Sequence, residues 1–118
     1  MSELTDEQRT LISGLYGLIT LARREELLYQ RWAGAVVTDR PDALASWCQA
    51  AGETRAYASA LRSAYGGRHD DAIRAAEAFG ANLVPDDAPF DPMAMLSTPD
   101  AAHDRACELA GAGWLNQP

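Results

Sequence analysis

Apolar residues recur every three or four positions along most of the chain, and this helical spacing limits the folds open to it. No segment alternates β-branched and polar residues between turn signals, as a half-buried strand would. The 118 residues are 47% hydrophobic, which is enough for one core and too few for two. The sequence therefore predicts an all-α small helical bundle, a single domain over residues 1–118, with two long antiparallel helices followed by two or three short helices.

The two long helices are predicted from their caps and their apolar stripes. Thr5 and Gln8 form a capping box at the start of the first helix, which is expected to continue to about Val37. Pro41 opens the second helix, and Gly66-Gly67 ends it. The stripe predicted to face the core on the first helix is Leu11, Leu15, Leu18, Ala22, Tyr29, Trp32 and Val36; on the second it is Leu44, Trp47, Cys48, Ala51, Ala58, Leu61 and Tyr65.

Shorter elements are predicted for the rest of the chain. Asp70 is expected to cap a third helix that ends at Gly80 or Asn82. The proline-rich stretch 84–92 is predicted to be irregular, with a single turn over 92–96. A last helix is expected to begin between Ser97 and Asp100. The side chains expected to pack inward are Ala72, Ile73, Ala76 and Phe79 on the third helix, and Ala102, Ala106, Leu109 and Trp114 on the last.

The charge of the chain is uneven. Residues 1–68 carry eight arginines and eight acidic residues, whereas residues 69–118 carry two arginines and nine acidic residues, which account for the whole net charge of −7. An acidic chain disfavours nucleic acid and anionic membrane as partners. It leaves open a basic partner that docks on residues 69–118. The chain shows no secretion signal and no apolar stretch of about 20 residues, so a cytoplasmic location with reduced Cys48 and Cys107 is expected.

One segment of the first helix lacks charged residues entirely. Between Arg9 and Arg23 the apolar positions cover more than half of the helix circumference, and the remaining positions are small and uncharged. The sequence therefore predicts a homodimer, or a complex with another chain, with this helix in the interface; the alternative is a central helix that its own chain covers. The predicted interface residues are Leu11, Ile12, Leu15, Tyr16, Leu18 and Ile19. The predicted function is protein–protein interaction or assembly, without a cofactor and without enzymatic activity.

The alternative function is a metal-carboxylate oxidoreductase or a metal-storage protein. The first two helices, about half of the chain, resemble those of the ferritin-like bundle, whose members hold two metal ions with glutamates and Glu-x-x-His motifs. Carried over to this chain, that resemblance implies the ligands Glu25 or Glu26, Glu53, Glu77 and His103. The pattern departs from the family at Ala56, which stands where a histidine should follow Glu53 by three residues.

Three weaker features have ordinary structural interpretations beside the chemical ones. His103 and Cys107 share one face of a helix, but two ligands do not make a zinc site. His69 is interpreted as a helix-entry residue, and Gly14 and Gly17 as positions where another helix approaches closely. The aromatic residues Tyr29, Trp32, Trp47 and Tyr57 are expected in the core, or else around a pocket for a small apolar ligand.

Overall fold

The computed structural model describes residues 5–84, 91, 93–94 and 100–111. Within that part of the chain all regular structure is helical, which confirms the predicted all-α class. Four α-helices follow one another: α1 (Asp6–Ala33), α2 (Arg40–Tyr65), α3 (Asp70–Asn82) and α4 (Asp100–Leu109). None of these described helices is both long enough and apolar enough to cross a membrane.

The ends of α1 and α2 follow from local chemistry. The backbone amide of Gln8 donates to Thr5 Oγ1 at 3.1 Å, and the Gln8 side chain accepts from the Thr5 amide at 3.0 Å, which completes the predicted capping box. The helix stops at Ala33, four residues before Val37, because Gly34 and two β-branched valines are weak helix formers. Gly66 ends α2 with a φ of 58°, a left-handed conformation that glycine adopts without strain.

One core cluster joins all four helices, and it lies along the first half of α1. Its members from α1 fall between residues 11 and 19, and they pack against buried side chains of α2, α3 and α4. We call this region the base: residues 6–22 of α1 with residues 54–65 of α2. The buried side chains of the cluster are Leu11, Ile12, Leu15, Leu18, Ile19, Ala58, Tyr65, Ile73, Ala76, Ala102 and Ala106.

Glycines allow the helices of the base to approach closely. A Cβ added at Gly14 would lie 2.7 Å from Leu61 Cδ2, and one added at Gly17 would overlap the hydroxyl of Tyr57. Both glycines of α1 therefore admit side chains of α2, as the sequence indicates. Gly80 does the same for α3, because its added Cβ would overlap the carbonyl oxygen of Ile19. Gly80 is thus a packing position inside α3, which continues to Asn82.

Contacts between α1 and α2 follow a regular order. Residue numbers rise along α1 and fall along α2, from Gly14 with Leu61, through Leu21 with Thr54, to Trp32 with Trp47. We call the other half of this pair the end; it consists of residues 23–33 of α1, the turn 34–39 and residues 40–53 of α2.

The molecule measures 56 × 31 × 19 Å, and its radius of gyration of 15.8 Å exceeds the ~13.5 Å of a compact domain of this length.

Several predicted details need correction. The buried residues in the first half of α2 are Ala43, Ala50 and Ala51, whereas Leu44 and Cys48 are exposed. Asp70 is the first residue of α3 and not its cap; His69 occupies the cap position without a side-chain bond to the helix. Ala72 and Phe79 are only partly buried against the core that Ile73 and Ala76 join. The predicted positions of Ser97 and Trp114, and most of the turn predicted over 92–96, lie outside the described residues.

Candidate interaction surface

Large apolar side chains gather on the outside of the end. Val37 is 83% exposed, Val36 62%, Leu44 40% and Tyr29 38%. The described residues expose only one other large apolar side chain, Met93, so exposed apolar surface is concentrated at one end of the α1–α2 pair. We call this surface the end patch, and it consists of Tyr29, Trp32, Val36, Val37, Leu44 and Trp47.

Three aromatic rings form the centre of the end patch. Trp32 of α1 and Trp47 of α2 stack with ring centroids 5.1 Å apart and planes 28° apart. Tyr29 meets Trp47 edge to face, with centroids 4.9 Å apart, and lies 5.9 Å from Trp32. The guanidinium carbon of Arg40 lies 5.5 Å from the centre of the Trp32 ring, within the range of a cation–π interaction. The patch is therefore an ordered arrangement of rings drawn from both helices.

Small residues at the α1–α2 contact explain why the large ones point outward. In the end, the buried residues of α2 are Ala43, Ala50 and Ala51, and those of α1 are Leu27 and Leu28. Alanine allows two helices to approach closely but fills little volume. Side chains as large as Trp47 and Leu44 therefore lie on the flank of the contact, where they are only partly covered.

The predicted interface residues occupy a different place. Leu11, Ile12, Leu15, Leu18 and Ile19 are all buried in the core of their own chain, with exposed fractions between 0 and 7%. Tyr16 is half-buried, and its ring meets that of His103 edge to face at 6.1 Å. The large apolar side chains of the charge-free run are thus covered by α2, α3 and α4, so the composition of the run does not require a second chain. Sequence reasoning missed the exposed patch because it assigned Tyr29, Trp32 and Trp47 to the buried stripes.

The carboxylates of the alternative function are not assembled into a metal site. Glu53 of α2 lies 3.6 Å from the guanidinium of Arg24 and accepts a hydrogen bond from Gln49. Among the described residues, no three His, Cys, Asp or Glu side chains are grouped so that they could hold a metal ion. All five implied ligands, Glu25, Glu26, Glu53, Glu77 and His103, belong to this described set, so the resemblance to the ferritin-like bundle does not extend to its metal centre.

The remaining chemical candidates have structural partners. Cys107 Sγ lies 3.9 Å from His103 Nδ1, and burial, followed by the nearby Asp104 carboxylate, raises the pKa of the Cys107 thiol. A raised pKa keeps the sulfur protonated and weakens it as a nucleophile or ligand. The ring of His69 packs edge to face on Tyr65 at 5.1 Å and points Nε2 toward Glu7, 3.9 Å away. Burial, and secondarily Tyr65, raises the pKa of Tyr57, which lies beside Gly17 and apart from the other three aromatic residues.

No protein-family model, no curated protein and no solved structure matches this chain.

Proposed function

We propose that the protein is a non-enzymatic interaction protein that binds another protein chain through the end patch. The observation that carries this proposal is the ordered aromatic group Tyr29, Trp32 and Trp47, together with the exposed Val36, Val37 and Leu44 in the same end of the molecule. Aromatic residues and arginine are the side chains most enriched where protein interfaces bind tightly. A rigid ring cluster also loses little side-chain entropy on binding, because its rings are already held against one another.

The order of contacts between α1 and α2 supports an antiparallel helical hairpin as the framework of this surface. The base of that hairpin is held by α3 and α4, while its end presents the patch. We infer that the hairpin acts as a rigid arm and that its location is cytoplasmic, where its two free cysteines would stay reduced. Binding at the patch depends on apolar contact, so it should change little between about 50 and 500 mM salt. A basic partner on residues 69–118 would instead dissociate over that range.

Photo-crosslinking from single positions tests the proposal. A photoreactive amino acid at position 37, in the end patch, should give adducts with a specific protein in the cells that make this chain. The matched control is position 59, where exposed Ser59 lies on α2 outside the patch. The adduct from position 37 should be lost when Leu44→Asp is added, since Leu44 is exposed and its replacement spares the core. Equal labelling from both positions, or no adduct from position 37, contradicts the proposal.

A further inference from the structure

The helix α4 buries less apolar surface against the base than α3 does. Its buried residues are Ala102 and Ala106, whereas α3 buries Ile73 and packs its backbone closely against α1 at Gly80. Three further residues at the end of the chain that the structure describes are only partly buried against the core: Cys107, Leu109 and Ala110. Because apolar burial stabilises in proportion to the area removed from water, α4 is held less firmly than α3.

The polar side chains of α4 bond within their own helix. Arg105 donates to Glu108 at 2.8 Å. Cys107 Sγ lies 3.9 Å from His103 Nδ1. Within the described ranges, no hydrogen bond or ion pair joins a side chain of α4 to another helix; the ring of His103 only meets that of Tyr16 edge to face. The docking of α4 therefore depends on apolar and ring contacts.

Two electrostatic features oppose this docking. The Nε of Arg105 is buried and has no hydrogen-bond partner in the described part of the chain, although the guanidinium lies 5.6 Å from the centre of the Phe79 ring. A buried donor that has lost water without a replacement bond raises the free energy of the docked state. The helices α3 and α4 touch each other, and each carries three acidic residues and one arginine, a net charge of −2. Their repulsion is relieved when α4 leaves.

We propose that α4 is a detachable cover of the base, which opens and unfolds locally while α1, α2 and α3 stay folded. With ten residues, α4 is shorter than the ~12–15 residues at which an isolated helix becomes even marginally stable in water, so it unfolds when it leaves the base. The open chain keeps the core that the other three helices share. The buried residues of that core are Leu11, Leu15, Leu18, Ala58, Tyr65, Ile73 and Ala76. The proposal concerns the base and does not depend on the end patch.

Opening uncovers one flank of the charge-free run of α1. The contact of His103 with Tyr16 places α4 over this flank, and Ile12 lies one turn before Tyr16 on the same side of α1. With α4 in place, Ile12 is buried and Tyr16 is half-buried. Both belong to the interface that the sequence predicts. A second chain can reach Ile12 only in the open state, so α4 controls access to this flank.

Native-state hydrogen exchange of the full chain, in urea concentrations below its unfolding transition, tests the cover. The hydrogen-bonded amides of residues 104–109 should exchange at least ~100-fold faster than the slowest amides of α1 and α3. Their opening free energy should change little with urea, because local opening exposes little surface. If these amides exchange as slowly as those of the α1 core, with the same urea dependence, α4 opens only by global unfolding and the proposal is overturned.

Two matched helix variants distinguish local from global opening. Gly52→Ala changes an open position of α2 at the end and stabilises the closed and open chains equally. It should slow the core amides of α1 about two- to fivefold and leave the exchange of α4 unchanged. Ala106→Gly weakens α4 itself and should speed the exchange of α4 ~fivefold or more. Slower exchange of α4 in Gly52→Ala contradicts a separate opening.

Cysteine alkylation tests the access to α1. In a chain that carries C48S and C107S, Ile12→Cys should be alkylated at a rate that Ala106→Gly raises ~fivefold and Gly52→Ala leaves unchanged. Leu15→Cys, at a fully buried position of the core, should instead be alkylated more slowly when Gly52→Ala is added. If Gly52→Ala slows the alkylation at both positions, the flank is reached only by global unfolding and α4 is not a cover that opens by itself.

Discussion

The two halves of the α1–α2 pair use the same kind of helix in opposite ways. In the base, large aliphatic side chains such as Leu15 and Ile19 point inward, because α3 and α4 pack over α1 and complete a core. In the end, the buried residues of α2 are alanines and those of α1 are Leu27 and Leu28, whereas the large side chains of Tyr29 and Leu44 are exposed. An apolar helix position is therefore buried only when a neighbouring element is present to cover it. This difference is why we propose that the base supports stability and the end supports recognition.

The sharpest way to break this comparison is to place the same charge in both halves. Ile19→Glu buries a carboxylate in the core, so it should lower the free energy of unfolding by at least ~4 kcal/mol. Val37→Glu puts the carboxylate in an exposed turn and should change the free energy of unfolding by less than ~0.5 kcal/mol. Urea denaturation followed by circular dichroism, at concentrations where the chain is monomeric, measures both. A stable, folded Ile19→Glu monomer would return α1 to the role of an interface helix.

Two glycines offer a comparison of intermediate size. Gly80→Ala places a methyl group against the Ile19 carbonyl oxygen and 2.9 Å from Ala22 Cβ, so α3 must move away from α1. We expect a loss of about 1–3 kcal/mol. Gly52, in the middle of α2 at the end, has nothing within 4 Å of its added Cβ. Gly52→Ala should therefore stabilise the protein by about 0.5–1 kcal/mol through helix propensity alone. Thermal unfolding measures both variants: the melting temperature should fall for Gly80→Ala and rise for Gly52→Ala.

A buried hydroxyl at the border between the two halves gives a smaller effect. Thr54 is 1% exposed, and its Oγ1 donates to the carbonyl oxygen of Ala50 at 2.9 Å. The same Oγ1 lies 3.3 Å from the carbonyl oxygen of Leu21 on α1. Thr54→Val keeps the shape and removes these bonds, so it should cost ~1 kcal/mol. Thr10→Val removes a similar bond, to the Asp6 carbonyl oxygen, at an exposed position and should be close to neutral. Equal costs at both positions, in urea denaturation, would contradict a tight contact at this border.

The sequence predicts much of the base and little of the end, for a physical reason. Caps such as Thr5 and stops such as Gly66 depend on neighbours within four residues, so local chemistry determines them. Along the first half of α1, where large residues point inward, the spacing of the apolar residues also identifies the buried face of the helix. On α2 a choice based on hydrophobicity selects Leu44 and Cys48, whereas the buried positions are Ala43 and Ala50. Packing against other parts of the chain makes alanine the inward residue there, and no local pattern in the sequence records that packing.

The two cysteines allow the smallest comparison, one that leaves the fold untouched. Cys48 of α2, next to Trp47 at the end, is exposed, whereas Cys107 of α4 is partly buried on the base side. Burial, and secondarily the carboxylate of Asp104, raises the pKa of the Cys107 thiol above its ordinary value of 9.0. Because the thiolate is the form that reacts, Cys107 should be alkylated by iodoacetamide more slowly than Cys48 near pH 8. The alkylation rate of Cys107 should continue to rise at pH values above 9.0.

The single variants C48S and C107S, followed by mass spectrometry, assign each rate to one sulfur. Asp104→Asn removes the nearby negative charge and should shift the Cys107 profile toward lower pH without changing that of Cys48. If Cys107 reacts as fast as Cys48, its side chain is not buried against the core, and the packing of α4 on the base is weaker than the burial of Ala102 and Ala106 implies.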